Sequence, residues 1–226
     1  MASTRTYIVN LQRLESRGDE GILIIQLMRA ADDIALANWG LRRFKKEQPH
    51  IRRHIQLGAC RYFIRLQCGH LSEALPLVAS LRREPELVRL LRNCSPDAKR
   101  AYQRLLECLP GGRRRDRFER WVLPIRNRLA FHYDPSLTVR GLRRRARNPW
   151  GRKSSITQGS DIDLWRFNVA DDIEDTIICR ELWRIPAEAN LRREADRRAD
   201  FGAGACRDLL RLTGELASRY LTQYAT

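Results

Sequence analysis

Long hydrophobic runs are missing from the sequence. The longest apolar stretch near the N-terminus, residues 22–25, ends at Gln26 and is far shorter than the roughly 20 residues that span a bilayer. Residues 1–10 contain no apolar segment of signal-peptide length. We therefore expect no membrane segment and no export signal, which predicts a cytoplasmic protein.

Closely spaced cysteine pairs are also missing. The six cysteines form no CxxC motif and lie in stretches with helical periodicity. Cys60, Cys68 and His70 do not have the spacing of zinc ligands. Asp171 and Asp172 belong to an acidic cluster that could suggest magnesium, but helix capping and dipole stabilisation account for them. The sequence thus predicts reduced, buried thiols, no metal site and no other cofactor.

Negative charge is scarce as well. The chain has 43 basic and 27 acidic residues, a formal net charge of +16 and a pI near 10.6. Such an excess predicts attraction to polyanions, above all nucleic acid, and secondarily an anionic membrane or an acidic protein. Only four of the basic residues are lysines, but a genomic codon bias would produce the same excess of arginine. The expectation of a polyanionic partner therefore depends on the net charge.

Strand-type alternation does not persist anywhere in the sequence, and no internal repeat is present. Apolar residues instead recur at intervals of three and four, which is typical of amphipathic helices. Gly202 and Gly204 lack the preceding strand and the third glycine of a dinucleotide-binding loop, although they should interrupt the last helix. The pattern predicts an all-α protein with helices over residues 21–46, 50–81, 86–92, 97–109, 114–132, 169–183 and 187–224.

Local signals predict where these helices begin and where they are interrupted. Ser95 or Asp97 should cap the helix at 97–109. Pro124 should produce a kink or a local break in the helix that contains it. Pro135 and Gly141, with further prolines, glycines and basic residues, predict a flexible, positively charged loop. The expected organisation is a helical bundle over 1–135, a basic loop over 136–159 and a C-terminal helical extension over 160–226 that packs on the bundle.

The segment 126–132 carries the strongest functional signal in the chain. The pair Arg126 and Asn127 is followed after four residues by His132, near the end of a predicted helix. Arginine binds phosphate through a planar fork of donors that stays charged at any working pH, and histidine transfers protons near neutral pH. These are two of the groups needed to cleave RNA without a metal. The alternative is a set of solvated arginines and a histidine that interacts with the helix dipole.

This segment resembles the Arg-polar-x4-His signature of the HEPN superfamily, and residues 20–135 share the family's general character. The resemblance implies a HEPN-like helical bundle, with the C-terminal helices and the basic loop as additions. It also implies a metal-independent endoribonuclease for single-stranded or loop RNA, like the toxin–antitoxin and phage-defence members of the family. In this role His132 is a general acid or base, Arg126 stabilises the transition state and Asn127 holds the histidine or the phosphate. Two copies of the motif would meet in a homodimer.

Four further residues could support the motif. A buried Glu73, three residues after His70 on the second long helix, could orient a motif arginine, although an ordinary surface or capping pair is the alternative. Arg128, four residues before His132, shares a helical face with it. Tyr133 is an aromatic neighbour of the histidine.

Arginine-rich stretches could deliver RNA to the motif by long-range attraction, and Trp150 could stack on an unpaired base. Arginines at the start of a helix oppose its dipole, which favours a role with an external anion. A solvated charge run is the alternative. The predicted RNA-binding residues are Arg113, Arg114, Arg115, Arg143, Arg144, Arg145, Arg147, Trp150, Arg152 and Lys153.

Two other functions are compatible with the same sequence. A HEPN-like protein that binds nucleic acid or a nucleotide without catalysis would keep the fold and the charge. A basic interaction subunit that docks an acidic partner, such as an antitoxin, would use the charge alone. Because the arginine and the histidine would hold a phosphate with or without catalysis, the sequence does not separate the first two functions.

Overall fold

The computed structural model describes Thr6 and residues 8–45, 53–132, 134–148, 153–158, 160 and 167–224. These residues are mostly helical and contain no β-strand, which confirms the expected all-α class. None of their helices is long and apolar enough to cross a membrane. The α-helices are α1 (Leu11–Glu15), α2 (Asp19–Lys45), α3 (Arg53–Ser80), α4 (Pro85–Arg92), α5 (Pro96–Leu106), α6 (Arg115–Trp121), α7 (Leu123–Ile125), α8 (Pro135–Arg147), α9 (Asn168–Thr176) and α10 (Leu191–Tyr224).

Other helical geometries connect some of these elements. A 3-10 turn, Leu81–Arg83, precedes α4. Two π-helical segments, Arg126–Ala130 and Ile177–Leu182, follow α7 and α9. Helix α10 continues through Gly202 and Gly204, so the expected interruption there is wrong.

The chain is divided into two compact units that are discontinuous in sequence. Unit 1 contains Met1–Ala35, His70–Arg115 and Gly204–Thr226, and unit 2 contains Leu36–Gly69 and Asp116–Ala203. The boundaries predicted near residues 135 and 160 do not coincide with this division. All six cysteines are free thiols, and four of them are buried.

The core of unit 1 includes the apolar faces of α4 and α5, whose first turns each contain a proline. Ser95 caps α5, because its hydroxyl accepts the backbone N–H of Ala98 at 3.2 Å. Glu215 of α10 accepts hydrogen bonds from both the backbone N–H and the hydroxyl of Ser95, each at 2.6 Å. The predicted cap at Ser95 is confirmed, and the Glu215 carboxylate holds the capping residue in place.

Helix α8 of unit 2 occupies the first half of the predicted flexible loop, so that prediction is wrong. The carboxylate of Asp134 caps the helix by accepting two backbone N–H groups of its first turn, at 2.9 and 3.2 Å. Pro135 lies in that turn, where a missing N–H leaves no hydrogen bond unmade. Gly141 is buried against Ile173 and Ile177. Pro135 therefore begins α8, and Gly141 allows the helix to pack closely against Ile173 and Ile177.

The single helix predicted over residues 114–132 is broken near Pro124, as expected. Helix α6 ends at Trp121, the backbone of Val122 has φ −106° and ψ −55°, and α7 begins with Pro124 in its first turn. Nε1 of Trp183 donates to the carbonyl of Trp121 at 2.9 Å. This contact satisfies a carbonyl at the end of α6, where the helix supplies no partner.

Candidate nucleic-acid site around His132

The motif follows α7 as a π-helical turn instead of a regular helix. The segment Arg126–Ala130 ends at Phe131, whose φ of −131° and ψ of 13° leave helical geometry. His132 is exposed and lies two residues before the N-cap of α8. Because π-helical turns are rare and are frequent at functional sites, this local geometry agrees with a functional role for the segment.

Arg126 and Asn127 contact each other. Nη1 of Arg126 donates to Oδ1 of Asn127 at 3.0 Å. Arg126 is half-buried and Asn127 is exposed. The amide oxygen thus orients the guanidinium, whereas the sequence suggested that Asn127 would hold the histidine or a phosphate.

Arg128 connects the two sides of the short link that carries His132. Its Nε and Nη2 donate to Oδ2 of Asp134 at 3.0 and 2.6 Å. Hydrogen bonds from the Ser136 hydroxyl and from this guanidinium hold the pKa of Asp134 well below its usual range. Since the ion pair joins residues before and after the histidine, Arg128 constrains the link that carries His132.

Phe131 places a second constraint on this link. Its ring lies directly over Gly69 of α3, where a Cβ would be 2.7 and 2.9 Å from two ring carbons. The ring is nevertheless 57% exposed. Because Gly69 has no side chain, the Phe131 ring can pack closely on α3. This contact fixes the position of Phe131, the residue before His132.

His132 lines a cleft of ≈ 350 Å³ in unit 2. Apolar side chains of α9 and the following π-helical segment form most of its wall, and Arg65 and Glu174 contribute opposite charges. A mainly apolar cleft with a few converging polar groups is the usual form of a ligand site. The lining residues are Arg65, Leu129, His132, Asp134, Thr138, Val169, Ala170, Ile173, Glu174 and Ile177.

Arg65 of α3 and Glu174 of α9 form a partly buried ion pair in this cleft. Nε of Arg65 lies 3.3 Å from Oε1 of Glu174, and the side chains are 20% and 19% exposed. Burial raises the pKa of Glu174, although the charge of Arg65 acts in the opposite direction. Neither contact atom makes a hydrogen bond within the described part of the chain. Both atoms are buried in the wall of the cleft, where they face each other.

A second set of ion pairs fastens α9 to α3. Arg61 pairs with Asp175 through two guanidinium nitrogens and lies 3.4 Å from Asp171. Asp171 is in the first turn of α9, as expected for a residue that stabilises the helix dipole, but it also serves this pairing. Arg61 and Arg65 were not among the predicted site residues. Each pair of residues, Arg61 with Arg65 and Asp171 with Asp175, has the four-residue spacing that puts two side chains on one helical face, and this spacing was the available signal.

The predicted RNA-binding arginines of α8 divide into two groups. Arg144 and Arg145 pair with carboxylates of unit 2 at 2.8 and 3.1 Å. Arg143 and Arg147 are exposed and pair with no residue in the described ranges. Lys153, which follows in the chain, is also exposed. Arg143, Arg147 and Lys153 are thus solvent-facing cations of this part of the chain.

Two of the three arginines predicted at the start of the motif helix have structural partners in unit 1. Arg114 donates to the carbonyl of Arg104 at 3.4 Å, and Arg115 donates to the carbonyl of Cys108 at 3.5 Å. These carbonyls lie at or just beyond the end of α5, where helical partners run out. Arg113 is exposed. An external anion is therefore not needed to explain Arg114 and Arg115.

His70 and Glu73 are not among the described residues that line the His132 cleft. His70 belongs to unit 1, where its Nδ1 lies 3.5 Å from Oδ2 of Asp33. Glu73, also in unit 1, is exposed and not buried as the hypothesis assumed. The remaining predicted site residues, Tyr133, Trp150 and Arg152, lie outside the described residues.

In the cleft the chain thus combines an imidazole with an arginine and a carboxyl group. In the described ranges, no group of three or more His, Cys, Asp or Glu residues could hold a metal ion. The chain matches no protein-family model, and no curated protein or solved structure is significantly similar to it. The resemblance to the HEPN superfamily therefore depends on the motif.

Proposed function

We propose that the protein is a HEPN-like, metal-independent endoribonuclease that cleaves single-stranded or loop RNA at the His132 cleft. The observation that carries the proposal is the placement of His132, an exposed imidazole at the end of a π-helical turn and beside the Arg65–Glu174 pair. A net charge of +16 supports a polyanionic substrate. Exposed Arg143 and Arg147 belong to α8, the helix that follows His132 in the chain, and supply further cations in unit 2.

In the proposed reaction, the ribose 2′-hydroxyl attacks the adjacent phosphorus and the bond to the 5′-oxygen of the next nucleotide breaks. His132 accepts the proton of the attacking hydroxyl or donates one to the departing oxygen. Arg126 stabilises the additional negative charge on the phosphoryl oxygens. The products are a 2′,3′-cyclic phosphate and a 5′-hydroxyl, so atoms and charge balance without a metal or a redox partner.

A homodimer is part of the proposal because Arg126 and His132 do not share one cleft. Arg126 is not among the described residues that line the cleft of His132. A two-fold axis would place the same patch of two protomers face to face. The Arg126 guanidinium of one protomer could then serve the His132 cleft of the other.

Cleavage of single-stranded RNA in the presence of EDTA tests the proposal. We expect the wild-type protein to produce fragments with cyclic phosphate ends, and His132→Ala to lose cleavage while retaining its fold and most of its RNA affinity. His70→Ala is the matched control, since it removes a histidine from unit 1. Equal cleavage by His132→Ala and wild type would exclude the catalytic role.

A non-catalytic RNA-binding protein is the second candidate, favoured by the exposed Arg143 and Arg147, which can hold phosphates without any chemistry. It predicts RNA binding without cleavage. The affinity should fall steeply as salt is added, because binding releases counterions from the RNA and a higher salt concentration opposes that release. An RNA affinity that is flat across low and moderate salt would instead favour an acidic protein partner.

A further inference from the structure

Unit 1 contains a second cleft, which has a different chemical character. It has a volume of ≈ 400 Å³ and lies between the end of α5, the turn before α6 and the middle of α10. Its wall is almost entirely charged. The lining residues are Arg104, Arg114, Gly204, Arg207, Asp208 and Arg211.

One carboxylate faces four guanidinium groups in this cleft. Asp208 is only 7% exposed, and both of its oxygens are occupied by Arg104, with distances of 2.9 Å from Nε and 2.6 Å from Nη2. Nη1 of Arg114 lies farther from the same carboxylate, at 3.8 Å. The pairing with Asp208 thus neutralises about one of the four cations and fixes the Arg104 fork in the cleft.

Among the described residues, carboxylates compensate the charges of Arg207 and Arg211 only weakly. Arg211 lies 3.6 Å from Asp97, a carboxylate that also pairs with Arg100. Arg207 is exposed. Positive charges that line one cleft repel each other, and a bound anion relieves that repulsion.

Gly204 lowers one wall of the cleft. A Cβ there would meet a single atom within 4 Å, Nη2 of Arg207 at 3.8 Å, which is an ordinary contact. Packing in the free protein therefore does not require a glycine, although glycine weakens a helix interior. The open backbone beside the Arg207 guanidinium leaves room for a ligand atom to approach.

We propose that this cleft is a binding site for a doubly charged phosphate group, either free phosphate or the terminal phosphate of a nucleotide. Guanidinium forks match the oxygen geometry of phosphate, and a dianion balances most of the excess charge of the cleft. The site is independent of the proposed ribonuclease activity. Arg104, Arg207 and Arg211 contact the anion, and Asp208 positions Arg104.

Binding to the full-length chain tests the proposal by calorimetry with inorganic phosphate, AMP and adenosine at moderate salt. We expect phosphate and AMP to bind and adenosine not to bind. The double variant Arg207→Gln/Arg211→Gln should bind at least about tenfold more weakly, since each lost charge-assisted hydrogen bond removes roughly a factor of ten. The affinity for AMP should also decrease below pH about 6, where the phosphomonoester dianion becomes a monoanion.

The control variant Arg82→Gln/Arg83→Gln removes the same charge from two exposed arginines of unit 1 that do not line the cleft. It should bind phosphate as the wild type does. Gly204→Ala should weaken binding, whereas Gly214→Ala in the same helix should not. AMP binding more tightly than phosphate would identify a nucleotide as the source of the group, and equal affinities would identify free phosphate. Equal losses in the test and control variants, binding of adenosine as tight as that of AMP, or no binding of phosphate or AMP would overturn the proposal.

Discussion

Gly141→Ala should destabilise the protein, although the same change usually strengthens a helix. A Cβ at this buried position would lie 2.6 Å from Cγ1 of Ile177, 3.1 Å from Cγ2 of Ile173 and 3.2 Å from the backbone oxygen of Ile173. Replacing glycine by alanine inside a helix contributes about 0.5–1 kcal/mol, whereas overpacking a well-packed contact costs about 1–3 kcal/mol. Since a backbone oxygen cannot rotate away, we expect a net loss of about 1–2 kcal/mol in the free energy of unfolding.

Gly214→Ala is the matched control, because a Cβ there meets no atom within 4 Å. It should raise the free energy of unfolding by about 0.5–1 kcal/mol. Equilibrium urea unfolding, followed by circular dichroism at 222 nm as the usual helical signal, measures both variants against the wild type. If Gly141→Ala is as stable as Gly214→Ala, α8 does not approach Ile173 and Ile177 closely, and the packing argument is refuted.

Three further predictions concern the motif and a strained turn. The pKa of Asp134 is lowered in the folded state, so its ionised form stabilises the protein above the unfolded pKa of a carboxyl group. At neutral pH the wild type should therefore unfold at a higher urea concentration than Asp134→Asn, and in acid this difference should disappear. A difference that persists in acid would contradict the prediction. Arg184 has a φ of 50°, so Arg184→Gly should raise the free energy of unfolding by about 1 kcal/mol while Arg184→Ala should not. Mixing His132→Ala and Arg126→Ala protomers should restore part of the RNA cleavage that each variant lacks alone, whereas a mixture as inactive as its components would exclude a cleft shared between protomers.

Helices with their own boundary signals could be predicted from the sequence. Helix α5 has Ser95 as its cap and Pro96 in its first turn, followed by apolar residues at helical spacing. The break near Pro124 was predictable for the same reason, because a proline restricts the chain at its own position. The location of His132 near a helix end also followed from the local pattern, whereas its exposure did not.

Features that depend on distant residues could not be predicted in this way. Gly141 could end a helix or allow a helix to pack closely on a neighbour. The outcome depends on Ile173 and Ile177, which lie more than thirty residues later in the chain. Arg61 and Asp175 are 114 residues apart in sequence. Their pairing, like that of Arg65 with Glu174, required the approach of α9 to α3. The sequence therefore predicted His132 as a site residue but not the cleft that surrounds it.

The π-helical segment Arg126–Ala130 also makes the site tolerant of a change in chain length. A π-helical turn closes its hydrogen-bonded ring with one residue more than an α-helical turn. Because the wider turn takes up that extra residue, deleting one residue here would let α7 continue as a regular helix while the chain downstream kept nearly the same rotation and height. His132 would then stay at its cleft, but three residues instead of four would separate it from the Arg126–Asn127 pair. In homologous chains, a single-residue gap at this position would therefore change the spacing of the motif without moving the histidine.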